Sequence, residues 1–229
     1  MLPHTHEVLV RLIENYNAAI WPAQAVAYGL GILVVALALR PRRHAGRLVT
    51  AVLAAAWLWV GVVYHVMHYV TINWAAWAFG ALFVMQGFFL AWTGTLRGRF
   101  EFRFVPDLHG WIGLGLVVLS MAAHPLAGWL TGDGWPRVAA FGVTPDPVAA
   151  FTLGMLLLAA HRVPLSLLAI PVLWSLIGGA TAWLMEVPRD LVLPLAAVSG
   201  ALLIVRKNRR MAGPVSAPPA SARRRRRRR

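Results

Sequence analysis

Seven apolar runs constrain this chain more than any other feature. They fall at about 20–39, 48–70, 74–92, 110–130, 147–160, 164–184 and 191–205. A helix needs about 20 mostly apolar residues to cross a bilayer, because the hydrocarbon core is about 30 Å thick and each residue rises about 1.5 Å. Lipid offers exposed backbone groups no partner, so runs of this length read as helices. The fifth and seventh runs, at 14 and 15 residues, extend past these limits or sit at a thinned or protein-lined depth. The remainder is too sparse for a water-facing surface: 59% of residues are apolar and 13% charged, about half the usual charged share. Disorder needs low hydrophobicity and is excluded for most of the chain. The fold class implied is all-α, a polytopic transmembrane bundle of about seven spans.

Charge assigns the sides. With the N-terminus outside, the inner segments 40–47, 93–109, 161–163 and 206–229 hold 4, 3, 1 and 11 Lys or Arg, 19 of the 22. Only Arg11, Arg137 and Arg189 fall outside, so the C-terminus is placed in the cytoplasm by the positive-inside rule. The first apolar run is followed by Arg40, Arg42 and Arg43 and reads as a retained segment rather than a cleaved leader. Residues 1–19 form an interfacial amphipathic helix, with Val8, Leu9, Leu12, Ile13 and Tyr16 on one face. Residues 20–205 form the membrane domain, and 206–229 a basic, disordered tail. Trp21, Trp74, Trp77, Trp129 and Trp183 lie near outer ends and Trp92 and Trp111 near inner ends, as in an aromatic belt. Trp57, Trp59 and Trp174 lie deeper, where core packing is the simplest explanation.

Four stretches carry a family likeness: YNAAIWPAQ (16–24), YHVMHYVTINWAAWAFGALFVMQG (64–87), GWPRVAAFGVTPDPVAAFTLG (134–154) and PVLWSLIGGATAWLMEVPRDL (171–191). Together they resemble the bacterial multi-pass membrane proteins of domain-of-unknown-function family 6064, from about Tyr16 to about Leu203. The resemblance implies a bacterial inner-membrane protein and transfers no activity and no functional residue.

Chemistry must then be sought in the residues. His65 and His68, three apart, are expected on one face of the second span, with His124 near the outer end of the fourth and Asp133 and Asp146 in the outer loop. This set suits a small ligand or ion. The three histidines also suit a divalent metal or a haem, or a proton relay, although no cofactor is required. The alternative is that each histidine hydrogen-bonds a neighbouring helix or interfacial water. The connection from Pro125 to Asp146, rich in Gly, Pro and Trp, is expected to fold back on the outer mouth as a lid or plug, with Thr144 or Asp146 capping the fifth span and Pro147 in its first turn. No charged residue is expected at mid-membrane depth, which argues against a midplane carboxylate. Gly110, Gly113 and Gly115 imitate a dinucleotide fingerprint, but they open a membrane helix and follow no strand.

Enzyme signatures are missing: there is no H-E-x-x-H, no G-x-S-x-G and no cysteine. At the inner surface, Arg206, Lys207, Arg209, Arg210 and Arg223 are expected to meet anionic lipid, with no specific nucleic acid implied. The leading expectation is a transporter, channel or sensor that binds or passes a small ligand or ion at its outer mouth. The alternatives are a metal- or haem-dependent membrane oxidoreductase using His65, His68 and His124, and a structural or assembly partner.

Overall fold

A computed structural model describes residues 5–40, 42, 44–132 and 134–212. Among them are eight α-helices and no strand: α1 (His6–Ala19), α2 (Ala23–Leu39), α3 (Ala45–Trp59), α4 (Ala76–Leu90), α5 (Leu108–Thr131), α6 (Pro145–Leu157), α7 (Ser166–Leu184) and α8 (Val192–Met211). Each apolar run holds one of the helices α2 to α8. α3 continues into a π-helical stretch, Val60–His68, and α4 into another, Ala91–Leu96.

Successive helices run alternately between two ends of the bundle. At one end, Phe104 N donates to Ala38 O at 3.0 Å and Arg103 N to Leu158 O at 3.1 Å. There, too, Thr50 and Thr95 hydroxyls meet at 3.1 Å. This end also holds Arg40, Arg42, Arg47 and Arg97 and the end of α8, and is called the basic end below. The opposite end gathers α1, the π-helical extension of α3, the last turns of α5 and α7, and the first turn of α6 around internal cavities. It is called the cavity end.

α6 is the axis of this arrangement. It is apolar on every side, which in a helix means burial on every side. Every one of its 13 residues except Asp146 is buried, and it packs against α3, α5, α7 and α8. Its length is only about 20 Å at 1.5 Å per residue. Close approach to α5 depends on glycine. A Cβ on Gly154 would stand 2.9 Å from Gly113 O, and one on Gly113 would stand 3.1 Å from Gly154 O. Backbone-to-backbone contact of this kind is how helices associate without a hydrophobic drive. It also accounts for Gly113 in the apparent fingerprint: it is a packing residue.

The outside of the bundle is apolar, with Val26, Ile32, Phe88, Val118, Leu176 and Leu202 exposed. Among the described residues, four helical stretches are long and apolar enough to cross a membrane: Ala45–Thr71, Ala76–Leu96, Leu108–Leu130 and Ser166–Leu184. The pair α1 and α2, bent by 85°, makes a fifth if it is one span. These are fewer than the seven apolar runs for a physical reason. α6 is short, and the last turns of α8 carry Arg206, Lys207, Arg209 and Arg210.

One expected boundary changes. Pro125 does not open the long connection, because α5 continues through it to Thr131; a membrane-type helix tolerates proline where neighbouring helices re-satisfy the freed groups. The amphipathic α1 buries Leu12 and Tyr16 against the bundle, while Val8 is exposed. It lies across the cavity end, bent by 85° from α2.

Candidate functional site

The site is built where α6 begins. Thr144, in extended conformation, occupies the N-cap position, but its hydroxyl donates to Ala140 O at 2.7 Å and does not cap the helix. Pro145 takes the first helical position, where a missing N–H costs nothing. Asp146 follows, and its Oδ1 accepts a 2.6 Å hydrogen bond from Trp174 Nε1. Gly178, one turn further along α7, makes room for it: a Cβ there would lie 2.8 Å from the same oxygen.

Trp174 and Gly178 lie near the middle of α7. Asp146 is therefore sunk into the bundle in the first turn of α6, and not in the loop where the sequence places it. The cause is the connection before α6, which descends into the bundle so that the helix starts part-way down. Three bonds from α1 hold that connection. Asn17 Nδ2 donates to Pro136 O and Val138 O at 2.7 and 2.8 Å, and Tyr16 Oη donates to Val143 O at 2.7 Å. Tyr16 Oη in turn accepts from Trp59 Nε1 at 3.0 Å, and Gln24 Nε2 donates to Asn17 O at 2.8 Å. Sequence reasoning overlooked Tyr16, Asn17 and Gln24 as a unit. The available signal was three hydrogen-bonding side chains within nine residues at the edge of an apolar run.

Two cavities adjoin Asp146 and share Leu9, Tyr64, Pro145, Asp146 and Asp190 in their walls. The smaller, about 120 Å³, adds His124, Arg137 and Thr144. The larger, about 230 Å³, adds Tyr69, Asn73, Phe79, Trp174 and Thr181. The stretches 64–87, 134–154 and 171–191 supply every residue of the larger cavity except Leu9. A separate apolar cleft of about 240 Å³ lies between α2 and α3, walled by Leu30, Val52, Trp59 and Phe141.

The expected histidine cluster does not form. The i→i+5 bonding of the π-helical stretch widens each turn, so residues three apart no longer stack on one face. The His65 ring sits among Phe83, Trp174 and Tyr64, at 4.8, 5.1 and 5.2 Å between centroids. The His68 ring packs on Tyr16 at 5.0 Å, with its Nδ1 2.8 Å from Val63 O. His124 stands in the smaller cavity with Asp146. Among the described residues, no group of three or more His, Asp or Glu side chains is placed to hold a metal ion. Both ring nitrogens of the fully buried His65, and Nε2 of His124, lack hydrogen-bond partners. Asp133 and Arg223 lie outside the described residues.

The basic end differs from expectation at one residue. Arg206, Arg209 and Arg210 are exposed, but Lys207 turns inward. Its Nζ donates to Leu157 O and Ala159 O at 2.9 and 2.7 Å, closing the C-terminus of α6. A cation there also complements the helix dipole. Burial lowers the pKa of this ammonium, against an opposing effect of the Asp107 charge.

No curated protein and no solved structure matches the chain. One protein family does, described as a family of unknown function, and its match takes in α1 to α8 and every residue of both cavities. Over residues 6–213, the chain belongs to the family of unknown function DUF6064.

Proposed function

We propose that this protein is a seven-pass membrane protein of the bacterial inner membrane that binds a small ligand through its cavity end, as a transporter or sensor. In this reading α2 to α8 each cross the membrane, α6 with the descending connection above it completing one crossing. The N-terminus and cavity end face outward, and the arginine-rich end faces the cytoplasm, consistent with 19 of 22 basic residues on that side. Residues 1–19 lie along the outer interface. The tail from 206 meets anionic lipid through Arg206, Arg209 and Arg210, and Arg223 in the terminal run adds to this.

The observation that carries the proposal is Asp146. A carboxylate deep in an apolar bundle is costly to keep and points to function. Here it stands at the start of a half-length helix and at the foot of two cavities, the arrangement by which broken membrane helices present binding sites. The buried, unpartnered His65 lies directly behind Trp174 and adds a second polar group that packing alone does not explain.

The chain has no cysteine, so a single introduced thiol reports cleanly. Thr181→Cys in the larger cavity is expected to react with a membrane-impermeant maleimide added to intact cells. Reaction only in inverted vesicles, or in neither preparation, would overturn the proposal.

A further inference from the structure

Resting on that reading, we infer that the larger cavity takes an organic ammonium ion, with Asp146 as counter-ion and Tyr64, Tyr69, Phe79 and Trp174 as its aromatic walls. Four independent features lead there.

The first is sign. Among the described residues lining this cavity, Asp146 and Asp190 are the charged ones, and none is Lys, Arg or His. That is notable in a chain of formal charge +14. The second is the helix end. A helix N-terminus ordinarily offers N–H groups and about half a positive charge to an anion. In α6, Pro145 and Pro147 have no N–H to offer, and Val148 N is directed to Thr144 O at 3.4 Å. Asp146 then outweighs the remaining dipole, so an anion is repelled where a cation is drawn in. The third is the wall. Aromatic faces attract cations, and carboxylate with aromatic rings is the chemistry that recognises alkylated ammonium groups. The rings here are mutually braced: Phe79 and Trp174 meet edge-on at 5.4 Å, and Tyr64 stacks on Tyr69 at 5.7 Å. The fourth is size and ligand count. About 230 Å³ corresponds to roughly eight waters at about 30 Å³ each, enough for a compact amine with its methyl groups. Calcium or magnesium would want about six or more oxygen ligands in a tight shell. Among the described residues, no group of three or more acidic or histidine side chains is placed to give even half of that.

The test uses the purified full-length protein in lipid nanodiscs, titrated calorimetrically. The probes are choline, its uncharged carbon isostere 3,3-dimethyl-1-butanol, and acetate. Choline is expected to bind about tenfold or more tighter than the isostere, the scale of a desolvated cation–π contact plus a counter-ion, and acetate is expected not to bind. Asp146→Asn should erase the preference for charge. Thr181→Trp, which fills the cavity without touching the carboxylate, should abolish binding and keeps the test open should the Asp146 variant fail to fold.

Equal affinity for choline and its isostere, tighter binding of acetate, or no binding of any probe would overturn the ammonium inference. Those results leave the ligand-binding reading standing so long as Thr181→Cys is reached from outside. If that thiol cannot be reached, both fall.

Discussion

The two ends of α6 are treated in opposite ways. At the basic end every exposed acceptor has been met. Lys207 closes two carbonyls, and Asn208 exchanges two bonds with Val163, at 2.7 and 3.0 Å. Ala160 N reaches Glu101 O at 2.8 Å. At the cavity end the same helix begins with two prolines and a carboxylate, and beside it there is space instead of packing. One end is finished as a protein interior; the other is left open around a charge. A partly buried carboxylate with room beside it adds little to stability, a contrast that fits the proposed use of the cavity end for something other than holding the fold.

If so, the cost of substitutions should fall along α6 from the basic end to the cavity. Lys207→Met leaves two carbonyls without their charged donor and should destabilise the protein by about 3 kcal/mol, measured by equilibrium unfolding in mixed micelles. Gly113→Ala, facing Gly154 O, should cost about 2 kcal/mol by overpacking. Gly115→Ala, with nothing within 4 Å of its Cβ position, should be neutral or slightly stabilising in the same assay. Trp57→Phe removes the 2.8 Å bond from Nε1 to Thr152 Oγ1 in the middle of α6 and should cost about 1 kcal/mol. Asp146→Asn keeps an acceptor for Trp174 and removes a partly buried charge. It should change stability by less than about 1 kcal/mol, in either direction, while the preference for a charged ligand is lost. A large loss of stability in the Asp146 variant would break the comparison by making the carboxylate structural.

Much of this organisation is legible in the sequence, since apolar runs mark where helices lie whatever their partners. The placement of Trp side chains also separates, although Trp59, deep along the chain, is exposed at the side of the bundle. Trp74, Trp77, Trp129 and Trp183 are exposed at the cavity end, and Trp92 and Trp111 at the basic end. The three deep ones each direct Nε1 to a partner on another element: Trp57 to Thr152, Trp59 to Tyr16 and Trp174 to Asp146. Packing alone was the sequence-level explanation, and it omits these bonds.

What the sequence hides is depth and register. The Gly- and Pro-rich connection announces an irregular segment, but nothing in it says that it descends into the bundle and carries Asp146 with it. The histidine spacing assumed an α-helix, and the π-helical stretch 60–68 turned His65 and His68 apart. Lys207 reads as one more lipid-facing cation in a basic segment. Its role depends on carbonyls about 50 positions earlier, a tertiary contact with no local signature. In each case a tertiary contact or a change of helix type overrides a local pattern.

In the proposed reading, a negatively charged vestibule opens outward onto Asp146. This is tested most directly by the rates at which Thr181→Cys reacts, in intact cells, with a cationic and an anionic methanethiosulfonate reagent, each normalised to free cysteine. A preference for the cationic reagent of about tenfold is expected, the low end of electrostatic focusing in a cleft, falling close to one when Asp146→Asn is added. A faster anionic reagent, or a preference unchanged by that second substitution, would contradict it.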